Sequence, residues 1–284
     1  MASKILLVQS CTMMLFTFLC YTSHCAVFAP KPPGRYAVSM TAMKLIDSTR
    51  IDPYQPNNQS RAIMVSSFYP VSHNCKSNSL CPVPYMPSFT AAFLDQSYSQ
   101  YGIPNGTFEQ FQLQLACNNT IDPKDNSFSV HSFPIVLFSP GAGAPRLFYS
   151  IIAQYISSNG FIVITIDHPG DAELVEFSSG TVIYNAITNL TLNDLTKSVV
   201  VRSQDASFVL DSLSQVSIVR RLIPGACSGF DVPRVAMYGH SLGGAAAASA
   251  AYHDHRIVGA VDLDGSLFGS VVSDGLPKDS FFLL

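Results

Sequence analysis

Charge is scarce in this sequence. Only 12% of its 284 residues are Asp, Glu, Lys or Arg, and the formal net charge is −3. Lys and Arg nowhere cluster, which argues against nucleic acid as a partner, because a phosphate backbone needs grouped cations. No Cys-x2-Cys pair with nearby histidines occurs, so a zinc site is not expected. There is no internal repeat. Disorder is not expected either, since 48% of the residues are hydrophobic and can build a sizeable core. After the first apolar run no second one of that length follows, so the mature protein should carry no transmembrane anchor. No histidine follows Asp264, an absence that matters below.

What is present begins with the layout of a secretory signal peptide. Lys4 precedes a mostly apolar stretch, Ile5 to Tyr21, and small residues follow at Ser23, Ala26 and Ala29 before Pro30. Gln9, Ser10, Thr12 and Thr17 interrupt the run, which makes it marginal against the about 20 apolar residues that span a bilayer. Residues 1–29 therefore read as a signal peptide, and 30–284 as one domain of a secreted, extracellular protein. Cys75, Cys81, Cys117 and Cys227 remain after cleavage; they allow up to two disulfides, in pairings that spacing does not separate. Sequons at Asn58, Asn105, Asn118 and Asn189 are expected glycosylation sites.

Tyr36 to Ile46 and Arg61 to Tyr69 read as two antiparallel strands joined by a Pro/Asn-rich turn. Ser72 to Pro87 reads as a surface loop. Ser88 to Leu115, rich in aromatics and Gln, reads as part of a covering insertion near 70–130. From Phe133 the pattern becomes regular. Pro134 to Phe138, Phe161 to Ile166, Val235 to Tyr238 and Ile257 to Leu263 are short apolar runs of the kind found in strands buried on both faces. Between them, Leu147 to Ser157, Leu195 to Val219 and Leu242 to Tyr252 carry helical spacing. Strands alternating with helices imply a mostly parallel sheet with helices on both faces. The run Phe281 to Leu284 resembles the opening of a further strand, so the domain is expected to lack its final strands and helix.

Gly239-His240-Ser241-Leu242-Gly243 sits between a strand and a helix. That is the context of a nucleophile elbow, a strained turn that lifts the serine off the sheet's rim. A hydroxyl is a poor nucleophile until a base takes its proton and donors hold the oxyanion. The N–H of Leu242 is one candidate donor. The other is the N–H of Ala142, in the loop Ser139-Pro140-Gly141-Ala142-Gly143, whose glycines let backbone approach a reacting carbonyl. The acid partner should end the strand after the nucleophile, where Asp262 and Asp264 compete. Alternation lets only one of them face the site, and Asp264, next to the turn, is preferred; Asp262 is then expected to be a solvated or hydrogen-bonded rim residue. The catalytic order in this fold is Ser, acid, His, and no base follows Asp264. His253 and His255 read as surface residues beyond the helix, His240 as packed, and His168 as a hydrogen-bonding turn residue.

With these residues in place, the chain resembles the platelet-activating factor acetylhydrolase family: plasma-type, lipoprotein-associated phospholipases and their secreted microbial relatives. The likeness runs over most of Tyr36 to Leu284. It rests on Gly239 to Gly244, on Leu137 to Gly143, on Asp167-His168-Pro169 with Asp171, and on Leu263-Asp264-Gly265. It implies an α/β-hydrolase fold, Ser241 as nucleophile, Asp264 as acid, and Ala142 and Leu242 as oxyanion donors. It also implies hydrolysis of short sn-2 acyl chains on ether or oxidised phospholipids, at a lipid surface and without a metal or other cofactor. Pro140 departs from the pattern, since the plasma enzymes resemble other hydrolases in having histidine there. The family's catalytic histidine would lie in the part expected to be missing. Two alternatives are a non-catalytic lipid-binding or inactive truncated remnant, and a general secreted carboxylesterase.

Overall fold

A computed structural model describes residues 26–71, 80–117, 129–187, 190–232 and 234–276. In chain order the elements begin with β1 (Val27–Phe28), β2 (Ala37–Ile51), β3 (Ser60–Val71), β4 (Leu80–Pro84), α1 (Ser88–Tyr98), α2 (Thr107–Gln110) and β5 (Phe111–Ala116). They continue with β6 (Ile135–Ser139), α3 (Ser150–Ser158), β7 (Ile162–Asp167), β8 (Leu174–Glu176), β9 (Val182–Tyr184), α4 (Leu192–Leu213) and α5 (Val216–Leu222). The last are β10 (Val235–His240), α6 (Leu242–His253), β11 (Ile257–Leu263) and α7 (Ser270–Asp274). The expected signal segment up to Cys25, Cys75, Asn118, Asn189 and the run Phe281 to Leu284 lie outside the described residues.

The main sheet has the order β11-β10-β6-β7-β3-β2. β11, β10, β6 and β7 run parallel; β3 is antiparallel to β7, and β2 to β3. The apolar runs are continuous because each face of the sheet is covered. Ile135, Leu137, Ile162, Ile164, Ile166 and Met237 pack with Ala206, Val209 and Leu210 of α4 and with Ala247 and Ala250 of α6. The residues between them, Val136, Phe138, Val163 and Tyr238, join a second core with Ala153 of α3 and Leu94 of α1. A mostly parallel sheet sandwiched in this way is the α/β-hydrolase architecture. Among the described residues, no helix is long and apolar enough to cross a membrane.

Three expectations change. Leu80–Pro84, read as loop, is a strand at the edge of a small β1-β5-β4 sheet. Its Pro82 and Pro84 are tolerated because an edge strand need not donate on both sides, and a Cys81–Cys117 disulfide ties it to the end of β5. Cys227 is free and exposed. The helical pattern from Leu195 to Val219 is two helices, since the N–H of Phe230 captures the Leu213 carbonyl at 2.8 Å and ends α4 there. At its other end α4 starts earlier, at Leu192. Thr191 accepts from the Asp194 N–H, and the Asp194 carboxylate accepts from the Thr191 N–H, a reciprocal cap that satisfies two free donors of the first turn.

Candidate active site

Ser241 stands between the last residue of β10 and the first of α6, with φ 52° and ψ −123°. Left-handed φ in a non-glycine residue costs of order 1–3 kcal/mol and persists only where the surroundings impose it. Here they do. The Ser241 N–H donates to the Leu263 carbonyl at the end of β11, at 2.9 Å, and the Gly244 N–H returns to the Ser241 carbonyl at 2.8 Å. A Cβ on Gly239 would overlap the Gly243 backbone, and one on Gly243 would overlap the carbonyl groups of Ser139 and Pro140. Only glycine at these two positions lets β10, α6 and the loop after β6 meet around the serine. Ser241 itself is half-buried.

The loop after β6 folds as a tight turn. The Ala144 N–H donates to the Gly141 carbonyl at 3.2 Å, and Gly143 takes φ 71°. Its other groups are tied down: the Gly143 carbonyl accepts from the Glu173 N–H at 2.6 Å, and the Gly141 N–H donates to the Tyr149 hydroxyl at 3.1 Å. Ala142 is exposed at the tip. Its N–H has no hydrogen-bond partner among the described residues, and neither has that of Leu242, one of the donors that a helix start leaves free. The contact of Gly243 with Ser139 and Pro140 packs the start of this loop against the start of α6. A cavity of about 350 Å³ opens beside the loop, lined by Tyr98, Tyr101, Ala142, Gly143 and Glu173, among others. A half-buried hydroxyl at a strained elbow, followed by an unpaired helix-start N–H, is an arrangement suited to attack on an ester carbonyl.

Asp264 is exposed, directly follows Leu263, and has φ 59°, so the hydrogen bond from Ser241 to Leu263 brings its backbone beside the serine. Asp262 is not the rim residue expected of it. It is fully buried, and neither carboxylate oxygen has a hydrogen-bond partner. Strand alternation turns it toward α6, where a Cβ on Gly244 would overlap its Oδ1. Burial raises its pKa; the nearby His240 opposes this and the charge of Asp264 adds to it.

None of the described histidines bonds the Ser241 hydroxyl. His253, the last residue of α6, and His255 beyond it are both exposed. His240 reaches the Tyr149 hydroxyl through Nδ1 at 2.8 Å. His168 is buried, with Nε2 at 2.9 Å from Ser139 Oγ and Nδ1 at 2.8 Å from Asp205 Oδ2. Burial lowers its pKa, although Asp205 pulls the other way. The neutral ring therefore donates to Asp205 and accepts from Ser139.

His168 belongs to a buried polar cluster that sequence reading missed. Arg61 pairs with Asp205 through Nη2 at 2.8 Å and Nε at 3.2 Å, and with Asp52 at 3.1 Å. Arg202 pairs with Asp171 through Nε at 2.7 Å and Nη2 at 2.6 Å. Burial would raise the pKa of Asp205, but Arg61 and His168 outweigh it and hold the carboxylate charged. The signal was available: Arg202 and Asp205 interrupt the apolar side of α4, between Val199 and Ala206. Charges in that position are rarely buried unless paired.

Comparison with known proteins gives a consistent set of likenesses. Residues 30–179 match the family described as platelet-activating factor acetylhydrolase, isoform II. A protein of Arthroderma benhamiae described as a probable 1-alkyl-2-acetylglycerophosphocholine esterase is 34% identical over 264 residues, 87% of this chain and 61% of its own length. The platelet-activating factor acetylhydrolase of Cavia porcellus is 28% identical over 172 residues, 53% of this chain and 39% of its own. The chain thus spans less than two thirds of either relative. Among solved structures, a ferulic acid esterase from Streptomyces cinnamoneus superposes with a TM-score of 0.71 and 26% identity, over 91% of this chain and 68% of that one.

Proposed function

Because the chain belongs to the platelet-activating factor acetylhydrolase isoform II family, we propose that the whole protein is a secreted serine esterase of phospholipids. It cleaves the short sn-2 acyl ester of 1-alkyl-2-acetylglycerophosphocholine-like lipids at a lipid surface. The observation that carries this reading is the strained Ser241 elbow, followed by the unpaired N–H of Leu242 and packed through Gly243 on the loop that carries the unpaired N–H of Ala142. Ser241 Oγ attacks the acyl carbonyl while a general base takes its proton, and Ala142 and Leu242 hold the oxyanion. The lyso-lipid alcohol leaves with a proton. Water then adds to the acyl-enzyme and releases the short acid, restoring the serine. Asp264 is the acid of the triad. The base is a histidine of the whole protein outside the described residues. Exposed Asn58 and Asn105 are available as glycan sites in the exported protein.

The test is a fluorophosphonate probe on the full-length protein, together with acetate release from 1-alkyl-2-acetylglycerophosphocholine. Labelling that disappears in Ser241→Ala, with acetate release lost in parallel, is expected; no labelling of the unmutated protein would sink the reading. The structural likeness to a ferulic acid esterase favours a second reading, a carboxylesterase acting on soluble esters. Faster turnover of soluble aryl esters than of dispersed phospholipid would select it.

A further inference from the structure

The five N–H groups of Arg202 have five acceptors, and three of them belong to Ser139, Pro140 and Gly141, the residues just before Ala142. Nε and one Nη2 proton go to the two oxygens of Asp171, at 2.7 and 2.6 Å. The second Nη2 proton goes to the Gly141 carbonyl at 3.2 Å, and Nη1 reaches both the Pro140 carbonyl and Ser139 Oγ, the latter at 3.4 Å. The side chain is fully buried. Guanidinium donors are fixed in one plane, so the Asp171 carboxylate sets the direction in which the remaining three point.

We propose that Arg202 is a positioning residue that aims the Ala142 N–H at the reacting carbonyl. This rests on the reading of Ala142 as an oxyanion donor. The Gly141 carbonyl and the Ala142 N–H belong to one planar trans peptide unit, in which C=O and N–H point in opposite directions. Holding the Gly141 oxygen inward against Arg202 therefore turns the Ala142 N–H outward, to the exposed tip of the loop. The preceding peptide is held in the same way: Arg202 takes the Pro140 carbonyl while the Gly141 N–H goes to Tyr149. Ser139, the third acceptor, donates in turn to His168, which bonds Asp205, itself paired with Arg61. The donor's direction is thus set by buried charge together with the loop's own turn, in which the Ala144 N–H also reaches the Gly141 carbonyl at 3.2 Å.

The merely structural alternative is that Arg202 only neutralises Asp171. Lysine would preserve that charge, but its compact ammonium cannot reproduce the planar fork. A double-mutant cycle in the full-length protein separates the two. Ala142→Pro removes the N–H itself, at a turn position where proline is favoured. With a short acyl ester, Arg202→Lys should lower kcat about 100-fold, the lower end of the loss of one oxyanion donor, with KM within about twofold. Affinity for a trifluoromethyl ketone should fall in parallel. In the Ala142→Pro background the same substitution should change kcat by less than about threefold, because the donor it aims is gone. Equal losses in both backgrounds, or an Arg202→Lys protein with kcat unchanged, overturn the proposal. Should Arg202→Lys fail to fold, Asp171→Asn, which loosens the guanidinium without removing it, runs the same cycle with the same two outcomes. An unmutated protein without esterase activity overturns the esterase reading and this proposal with it. An active protein with an additive cycle overturns this proposal alone.

Discussion

The hydroxyl of Tyr149 lies 2.8 Å from Nδ1 of His240, the residue that precedes the nucleophile, and also accepts the N–H of Gly141 at 3.1 Å. One phenol thus joins the elbow to the loop that carries Ala142. With Arg202 on the carbonyl side and Tyr149 on the N–H side, the Pro140–Gly141 peptide is held from both directions.

Tyr149→Phe removes that link and leaves the N–H of buried Gly141 without a partner. An unsatisfied buried donor costs about 1–3 kcal/mol. Thermal unfolding should register a loss in that range. Esterase kcat should fall about tenfold, equivalent to about 1.4 kcal/mol of barrier. Unchanged melting and kcat would show that the bridge is dispensable.

Asp264 and Asp262 should behave oppositely. Asp264→Asn removes the proposed triad acid and is expected to lower kcat by about 10⁴, with little change in melting. The pKa of Asp262 is raised by burial, so folding favours its proton. Between the ordinary carboxylate pKa and the raised folded value, this group makes stability fall as pH rises. Asp262→Asn abolishes that loss and should raise the melting temperature at pH 7 while leaving kcat in place. If Asp262→Asn kills activity and Asp264→Asn does not, the assignment of the acid is reversed.

His168 gives the protein an acid-side stability limit. Burial lowers its pKa in the folded state below the ordinary 6.5. Below pH 6.5 the unfolded chain binds a proton that the folded chain does not, so stability drops as pH falls through that value. The limiting slope for one proton is about 1.4 kcal/mol per pH unit. Urea unfolding between pH 7.5 and 5 should show the decline, and His168→Gln should flatten it while starting from a lower stability. An identical slope in the variant would mean that another group titrates.

The Cys81–Cys117 disulfide closes a separation of 36 residues. The chain-entropy relation assigns such a loop about 4 kcal/mol. The double variant Cys81→Ala/Cys117→Ala should unfold at clearly lower urea than the oxidised protein, with β4 and β5 losing amide protection first. Equal midpoints would make the crosslink incidental.

Several elements were legible because their causes are local. The runs at β6, β7, β10 and β11 read as buried strands since both faces of each are covered, so no polar alternation interrupts them. The early start of α4 was missed although Thr191 and Asp194 carry the capping spacing; the apolar periodicity that begins at Leu195 drew the boundary inward. β4 was missed because Pro82 and Pro84 suppress strand propensity, while its place comes from pairing with β5 and from Cys117. The break between α4 and α5 has no local breaker; Phe230, folding back from beyond α5, imposes it.

What the sequence determined by itself is the elbow. Gly239, Ser241 and Gly243 lie within five residues of each other, and the steric demand that selects them acts over the same short stretch of backbone. The surroundings that aim the elbow's chemistry were decided only by the tertiary structure. It selected Cys81 with Cys117, buried Asp262 while leaving Asp264 at the rim, and brought Arg61 to Asp205 across 144 residues of sequence and Arg202 to Gly141 across 61. Such partners are chosen by which groups burial would otherwise leave unpaired, and that depends on the packing of the whole sheet rather than on spacing along the chain.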